Sequence, residues 1–157
     1  MICCFTGHRS MSSSENKYIV KELRRTIRAL AEEGYTVFRS GGALGFDTLA
    51  ALVVLDMREE LGIELEVYVP CRDQDKMWSE KDKKYYNYIL SAADRTFCLS
   101  EYYTPSCMHT RNRKMVDGSN CCIAFCKRNS GGTAYTVNYA LKNNVRLINL
   151  ADKSNKI

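Results

Sequence analysis

Apolar and polar positions follow two rhythms along the chain. Short apolar runs recur, and between them lie longer stretches in which apolar residues return every third or fourth position. Ile2–Phe5 reads as a first strand that turns at Thr6-Gly7. A helix over Glu15–Glu33 follows, capped by Ser12, Ser13 or Ser14, with Ile19, Leu23, Ile27, Leu30 and Ala31 on one face and Gly34 as its stop. Tyr35–Phe38 is the second strand, Ser40–Gly45 a glycine-rich loop, and Phe46–Leu61 a helix with an apolar stripe from Leu49 to Leu61, ended by Gly62. Ile63–Val69 is a third strand, running into Pro70. A polar loop with the only Trp leads to a helix over Glu80–Ala93, and Arg95–Leu99 is the fourth strand. A short helix over Cys107–Asp117, a wholly apolar strand at Cys121–Phe125, a helix opened by Ser130-Gly131-Gly132-Thr133 and a last strand at Val145–Leu150 complete the chain.

This order, βαβαβαβαβαβ, predicts an α/β fold: a Rossmann-like three-layer sandwich with a mostly parallel sheet of about six strands. The 157 residues suit one domain, residues 1–150, followed by a short polar tail at 151–157. No apolar run approaches the ~20 residues of a membrane span. The apolar start lacks a basic segment and reads as a strand, not a signal peptide.

In such a sheet, ligands bind beyond the carboxyl ends of the strands, near the point where the strand order reverses. Three unusual loops directly follow predicted strands: Thr6-Gly7-His8-Arg9, Ser40 to Asp47, and Ser130 to Thr133. All three should therefore meet on one edge. Gly41, Gly42, Gly45, Gly131 and Gly132 would let backbone approach a phosphate, and each following helix offers free N–H groups at its start. Ser40 and Thr133 add hydroxyls, and Arg9 a charge-assisted contact. The spacing is neither a P-loop nor G-x-G-x-x-G, so tight strand-to-helix turns explain the glycines as well.

Asp47 would complement the start of its helix, accept from ribose hydroxyls, or act as a base. His8 would donate to phosphate or act as an acid, and these two are the candidate catalytic groups. Arg111 and Asn112 lie where they could reach the same edge, or else form a solvated helix face with Arg113 and Asp117. Trp78, with Gln74 and Arg72, would roof a base or anchor the core.

The net charge of +5 fits a small anionic ligand without requiring nucleic acid. Eight cysteines contain no C-x-x-C pair. The spacing of Cys107, His109, Cys121, Cys122 and Cys126 matches no metal-ligand pattern, so no metal and no required cofactor are expected. Cys3, Cys4, Cys98, Cys121 and Cys122 fall in apolar runs and should be buried as free thiols, which implies the reducing cytoplasm.

The segments T-G-H-R (6–9), S-G-G-A-L-G-F-D (40–47), P-C-R-D-Q-D-K-M-W (70–78), R-N-R-K-M-V-D-G-S (111–119) and S-G-G-T-A-Y (130–135) together resemble the YpsA/YoqJ-like bacterial and prophage proteins of the SLOG (Smf/DprA-LOG) superfamily. The resemblance implies a Rossmann-like fold, with Gly45–Asp47 as a ligand-binding loop. It implies a pocket for a nucleotide or a derivative such as ADP-ribose or NAD, bound or sensed. It also implies self-association as a homo-oligomer. LOG-type phosphoribohydrolases carry P-G-G-x-G-T-x-x-E where this chain has Ser130 to Asn138, and an amide at Asn138 cannot serve as a general base. A nucleotide N-glycosidase and a DprA-like DNA-associated protein are the alternatives the resemblance leaves.

Overall fold

The computed structural model describes residues 1–152. The expected tail beyond 152 lies outside the described residues. The strands are β1 (Ile2–Gly7), β2 (Val37–Ser40), β3 (Glu64–Val69), β4 (Arg95–Cys98), β5 (Cys121–Phe125) and β6 (Arg146–Asn149). The helices are α1 (Ser13–Glu32), α2 (Phe46–Leu61), α3 (Glu80–Ala92), α4 (Cys107–Val116) and α5 (Gly132–Lys142). The strands form one sheet in the order β4-β3-β2-β1-β5-β6, and every pairing is parallel.

Local chemistry sets the boundaries. Ser12 caps α1 in a reciprocal box: its hydroxyl accepts from the Glu15 N–H, and its own N–H donates to the Glu15 carboxylate. Gly62 ends α2 in a left-handed conformation that suits glycine. The second strand begins two residues later than the apolar run suggests, because the N–H of Tyr35 still donates to Leu30 at the end of α1. Ser40 is therefore the last strand residue and not the first of a loop.

Helices α1, α2 and α3 pack in sequence on one face, over a core built around Phe5, Phe38, Phe46, Leu65 and Ile123. Only α4 and α5 cover the other face, over a smaller core of Cys4, Met115, Val116, Cys122, Ala140 and Val145. Cys3 stands opposite Cys121 and Cys4 opposite Cys122 on adjoining strands, all fully buried as free thiols. Cys98 corrects the expectation of burial. It is exposed because β4 is an edge strand, and all four of its residues face solvent. Among the described residues no helix is long and apolar enough to cross a membrane, and no three His, Cys, Asp or Glu side chains gather as a metal ion would need.

The strand order reverses between β1 and β5. The chain steps outward from β1 through β2 and β3 to β4, then crosses under α4 to the far side of β1. The loops leaving β1 and β5 diverge there, which opens the space that a site requires.

Candidate functional site

A cavity of about 350 Å³ occupies that switch point. The end of β1 forms its floor through Phe5, Thr6 and Gly7, and the following loop adds His8, Arg9 and Ser10. Asp47 and Ala43 enter from the loop and first turn of α2, Met108, Arg111 and Asn112 from α4, and Arg128, Gly132 and Thr133 from the β5–α5 connection. Nine of the residues singled out in the sequence are thus brought together: Thr6, Gly7, His8, Arg9, Asp47, Arg111, Asn112, Gly132 and Thr133.

Ser40, Gly41, Gly42, Gly45 and Gly131 are not among the lining residues. The first four organise the wall instead. Ser40 is buried; its hydroxyl donates to the Asp47 carbonyl and accepts from the Gly42 N–H. A Cβ on Gly41 would lie 2.5 Å from the Arg111 guanidinium. One on Gly45 would lie 2.5 Å from the Arg9 carbonyl oxygen, so this glycine lets the β1–α1 and β2–α2 loops touch backbone to backbone. The Phe46 N–H donates to the His8 carbonyl across the same contact.

The electrostatic centre is the pair Asp47 and Arg111. Arg111 is 3% exposed, and its guanidinium donates to the carbonyls of Gly41 (2.6 Å) and Tyr68 (3.3 Å) and to Asn112 Oδ1 (2.8 Å). It thereby ties α4 to the β2–α2 loop and to β3. Asp47 is buried beside it, and Oδ2 accepts from the Ala43 N–H at 3.4 Å. Burial pushes the Asp47 carboxyl above its usual range, while the Arg111 charge pulls it down. Burial likewise lowers the Arg111 guanidinium from its ordinary value, opposed by Asp47.

His8 holds the opposite rim. Its Nε2 accepts from the Lys127 N–H at 2.9 Å, and its ring meets Phe125 edge-on. The proton of the neutral ring therefore sits on Nδ1. Burial, then the charges of Arg128 and Lys127, hold its pKa below the ordinary 6.5. Protonation would turn Nε2 into a donor facing another donor. The folded form therefore binds the His8 proton more weakly than the unfolded chain. The stability contributed is complete above pH 6.5 and lost as pH falls toward the folded value. An NMR titration of His8 is expected to show the Nδ1–H tautomer and a midpoint below that of free histidine; a raised midpoint would contradict this arrangement.

Several neighbouring candidates turn out to be structural. Arg113 donates to the Tyr135 hydroxyl, and Asp117 accepts from Tyr139. Trp78 packs on the main core edge-on to Tyr86 (5.1 Å between centroids) and does not line the cavity. Asn138 is exposed in a separate polar hollow with Asn149 and Asp152. The sequence reading did not single out Phe5, Ser10, Ala43, Met108 or Arg128 as lining residues. Met108 lies one helical turn before Arg111 and Asn112, and Arg128 stands between β5 and the Gly131-Gly132 turn.

Comparison with known proteins places this geometry in a context. Residues 3–150 match the YspA SLOG family. A UPF0398 protein of Bacillus licheniformis is 32% identical over 129 residues, covering 80% of this chain and 70% of the relative. One from Bacillus thuringiensis is 30% identical over 128 residues, covering 79% and 70%. Among solved structures, DNA processing protein A from Helicobacter pylori, studied for its single-stranded DNA binding, superposes with a TM-score of 0.67 at 20% identity. That superposition covers 94% of this chain and 63% of that one, so the chain spans less than two thirds of it. DprA from Streptococcus pneumoniae gives a TM-score of 0.65 at 19% identity, covering 92% of this chain and 48% of that one. TM1055 gives 0.59 at 17%, covering 100% and 82%. At these identities the structural likeness establishes the three-layer fold.

Proposed function

Because the chain belongs to the YspA SLOG family, we propose that it binds a nucleotide or nucleotide-derived ligand of the NAD or ADP-ribose type in the cavity at the strand switch point. One observation carries this reading: Arg9, Arg111 and Arg128 converge with the start of α5 and a buried carboxylate on a single enclosure of ligand size.

The roles follow from what each group already does. Arg111 spends Nε and Nη1 on protein oxygens, so it shapes the site and sets its potential, while its Nη2 meets only the Met108 sulfur at 3.9 Å. Arg9 is exposed and bonds the Met108 sulfur at 3.7 Å, a weak acceptor that phosphate oxygens outcompete. Arg128 and the free N–H groups at Gly132 and Thr133 offer a second anion contact, strengthened by the helix dipole. Asp47 offers acceptors to the hydroxyls of a ribose. No bound cofactor is required for this function.

A second reading rests on Asp47. A carboxyl whose pKa is raised inside a ligand-sized cavity can hold a proton for a departing base, as an N-glycosidase would need. Association with DNA, which the H. pylori relative in fold binds, is the third.

A thermal-shift panel of AMP, ADP, ATP, NAD, ADP-ribose and cyclic dinucleotides separates them, each sample then run on HPLC for released base. A ligand at ~100 times its Kd adds about 2.7 kcal/mol of stability. The expected result is a shift with at least one ligand, no free base, and loss of the shift in Arg9→Ala/Arg128→Ala. Free base would favour the hydrolase. Oligonucleotide binding with a steep salt dependence and no nucleotide shift would favour DNA.

A further inference from the structure

The surface around β4 is unlike the rest of the molecule. Eight large hydrophobic side chains are exposed among the described residues, and six of them fall within 77–103: Met77, Tyr85, Tyr88, Phe97, Tyr102 and Tyr103. Tyr102 and Tyr103 are 72% and 61% exposed. They sit in the loop after β4, while Tyr85 and Tyr88 sit on the outer side of α3. Strand β4, which lies between α3 and that loop in the chain, pairs with β3 alone, so its outer edge presents unpaired backbone donors and acceptors. No proline or bulge guards it.

The layer arrangement explains this. Three helices cover one face of the sheet and two the other; on the second face α4 packs against β1 and β3, while β4 beyond it keeps all four residues exposed. There the Tyr68 and Phe97 rings lie 4.9 Å apart, with the Arg39 guanidinium 5.3 Å above Tyr68. An aromatic sheet face next to an open strand edge is a surface that a partner normally covers.

Charge narrows the choice of partner. The chain carries +5 overall, so most of its surface repels a second copy. Residues 72–103 hold six basic and six acidic side chains and are neutral. A nucleic acid would need a basic excess that this segment lacks, whereas two copies meet here without net repulsion.

We infer that two copies of this chain associate through β4. The strands pair antiparallel about a two-fold axis centred on Phe97, joining the two sheets into one. Opposed residues on antiparallel strands share a face. This register therefore sets the two Phe97 rings side by side and extends the Tyr68–Phe97 pair into a row of four rings. It also brings the Tyr102–Tyr103 loop of each copy beside the end of α3 in the other, where Tyr88 is exposed. The same loop leads straight into α4, which carries Met108, Arg111 and Asn112 to the cavity. The inference stands apart from the ligand reading.

Sedimentation velocity across a concentration series tests it. The full chain is expected to pass from 17.9 kDa to twice that mass. Phe97→Arg, and separately the double variant Tyr102→Glu/Tyr103→Glu, should weaken the dimer at least about tenfold. Leu141→Glu, at an exposed position on α5, should leave it unchanged. Hydrogen exchange should show amides of β4 gaining protection only at concentrations where the dimer forms. If Phe97→Arg disturbs folding by circular dichroism, the loop double variant decides, since it leaves the strand intact. A chain that stays monomeric up to millimolar protein overturns the inference, as does a dimer that survives both interface changes or is lost in Leu141→Glu.

Discussion

Replacement of Arg111 by Ala is expected to lower the unfolding free energy by about 3–5 kcal/mol, the range for removing one member of a buried charged pair. The loss has two parts. The carbonyls of Gly41 and Tyr68 forfeit their charged donor, and Asp47 keeps its burial without the charge that offsets it. Denaturant titration measures the change. Arg111→Lys should fall between the two, since an ammonium keeps the charge but cannot span three acceptors as a planar fork does. Asp47→Asn should cost clearly less in the Arg111→Ala background than in the wild type, because the two changes remove one interaction. The pH response has a defined sign. Burial already holds the Asp47 carboxyl above its ordinary 3.8, and losing Arg111 pushes it further up. The folded variant therefore binds that proton more tightly than the unfolded chain, and its penalty grows from about pH 3.8 toward the folded value. Mild acidification should restore part of the lost stability. Equal losses at acid and neutral pH would show that Asp47 is not the group left uncompensated.

Gly45→Val is expected to be about as damaging, at about 3 kcal/mol or more, and for a backbone reason. Gly45 has φ +79 and ψ −119, a region that side-chain-bearing residues avoid at a cost of about 1–3 kcal/mol. Its Cβ would also press on the carbonyls of His8 and Arg9. Both loops would have to separate, and the Phe46 N–H would lose the His8 carbonyl. Gly62→Ala is the control. It has φ +65 but open space around it, so the cost should be only about 1–2 kcal/mol. Comparable losses at the two glycines would mean that the loop contact contributes nothing.

The fold was legible because a parallel sheet buried on both faces writes continuous apolar runs, and Cys121–Phe125 is buried at every position. The edges were less legible. Cys98 lies in an apolar run like the central strands, yet strand order, not sequence, makes β4 the edge. The candidate site was legible as a location, since the loops after β1, β2 and β5 had to open on the same edge of the sheet. The roles within it were harder to read. Gly41, Gly42 and Gly45 look like phosphate glycines, but a close backbone approach can be to a neighbouring loop as readily as to a ligand, and only tertiary contacts distinguish the two. Arg111 resembles its neighbours Arg113 and Lys114 in sequence. Its position on α4 turns it into the core, while Arg113 reaches outward to Tyr135.

The central place of β1 bears on how the molecule assembles. From β1 to β4 the sheet grows by neighbours in sequence, each strand adding to the one before. The seam between β1 and β5 instead joins residues as far apart as Ile2 and Asn120, whose bond spans 118 positions. Pairings of such separation carry the largest loop-closure cost and limit folding rates. The cavity lies on that seam, so it does not exist until β1 and β5 have paired. A ligand that grips both the β1 loop and the β5 loop would act as a clasp on this long-range junction, slowing its opening more than that of any other part of the sheet.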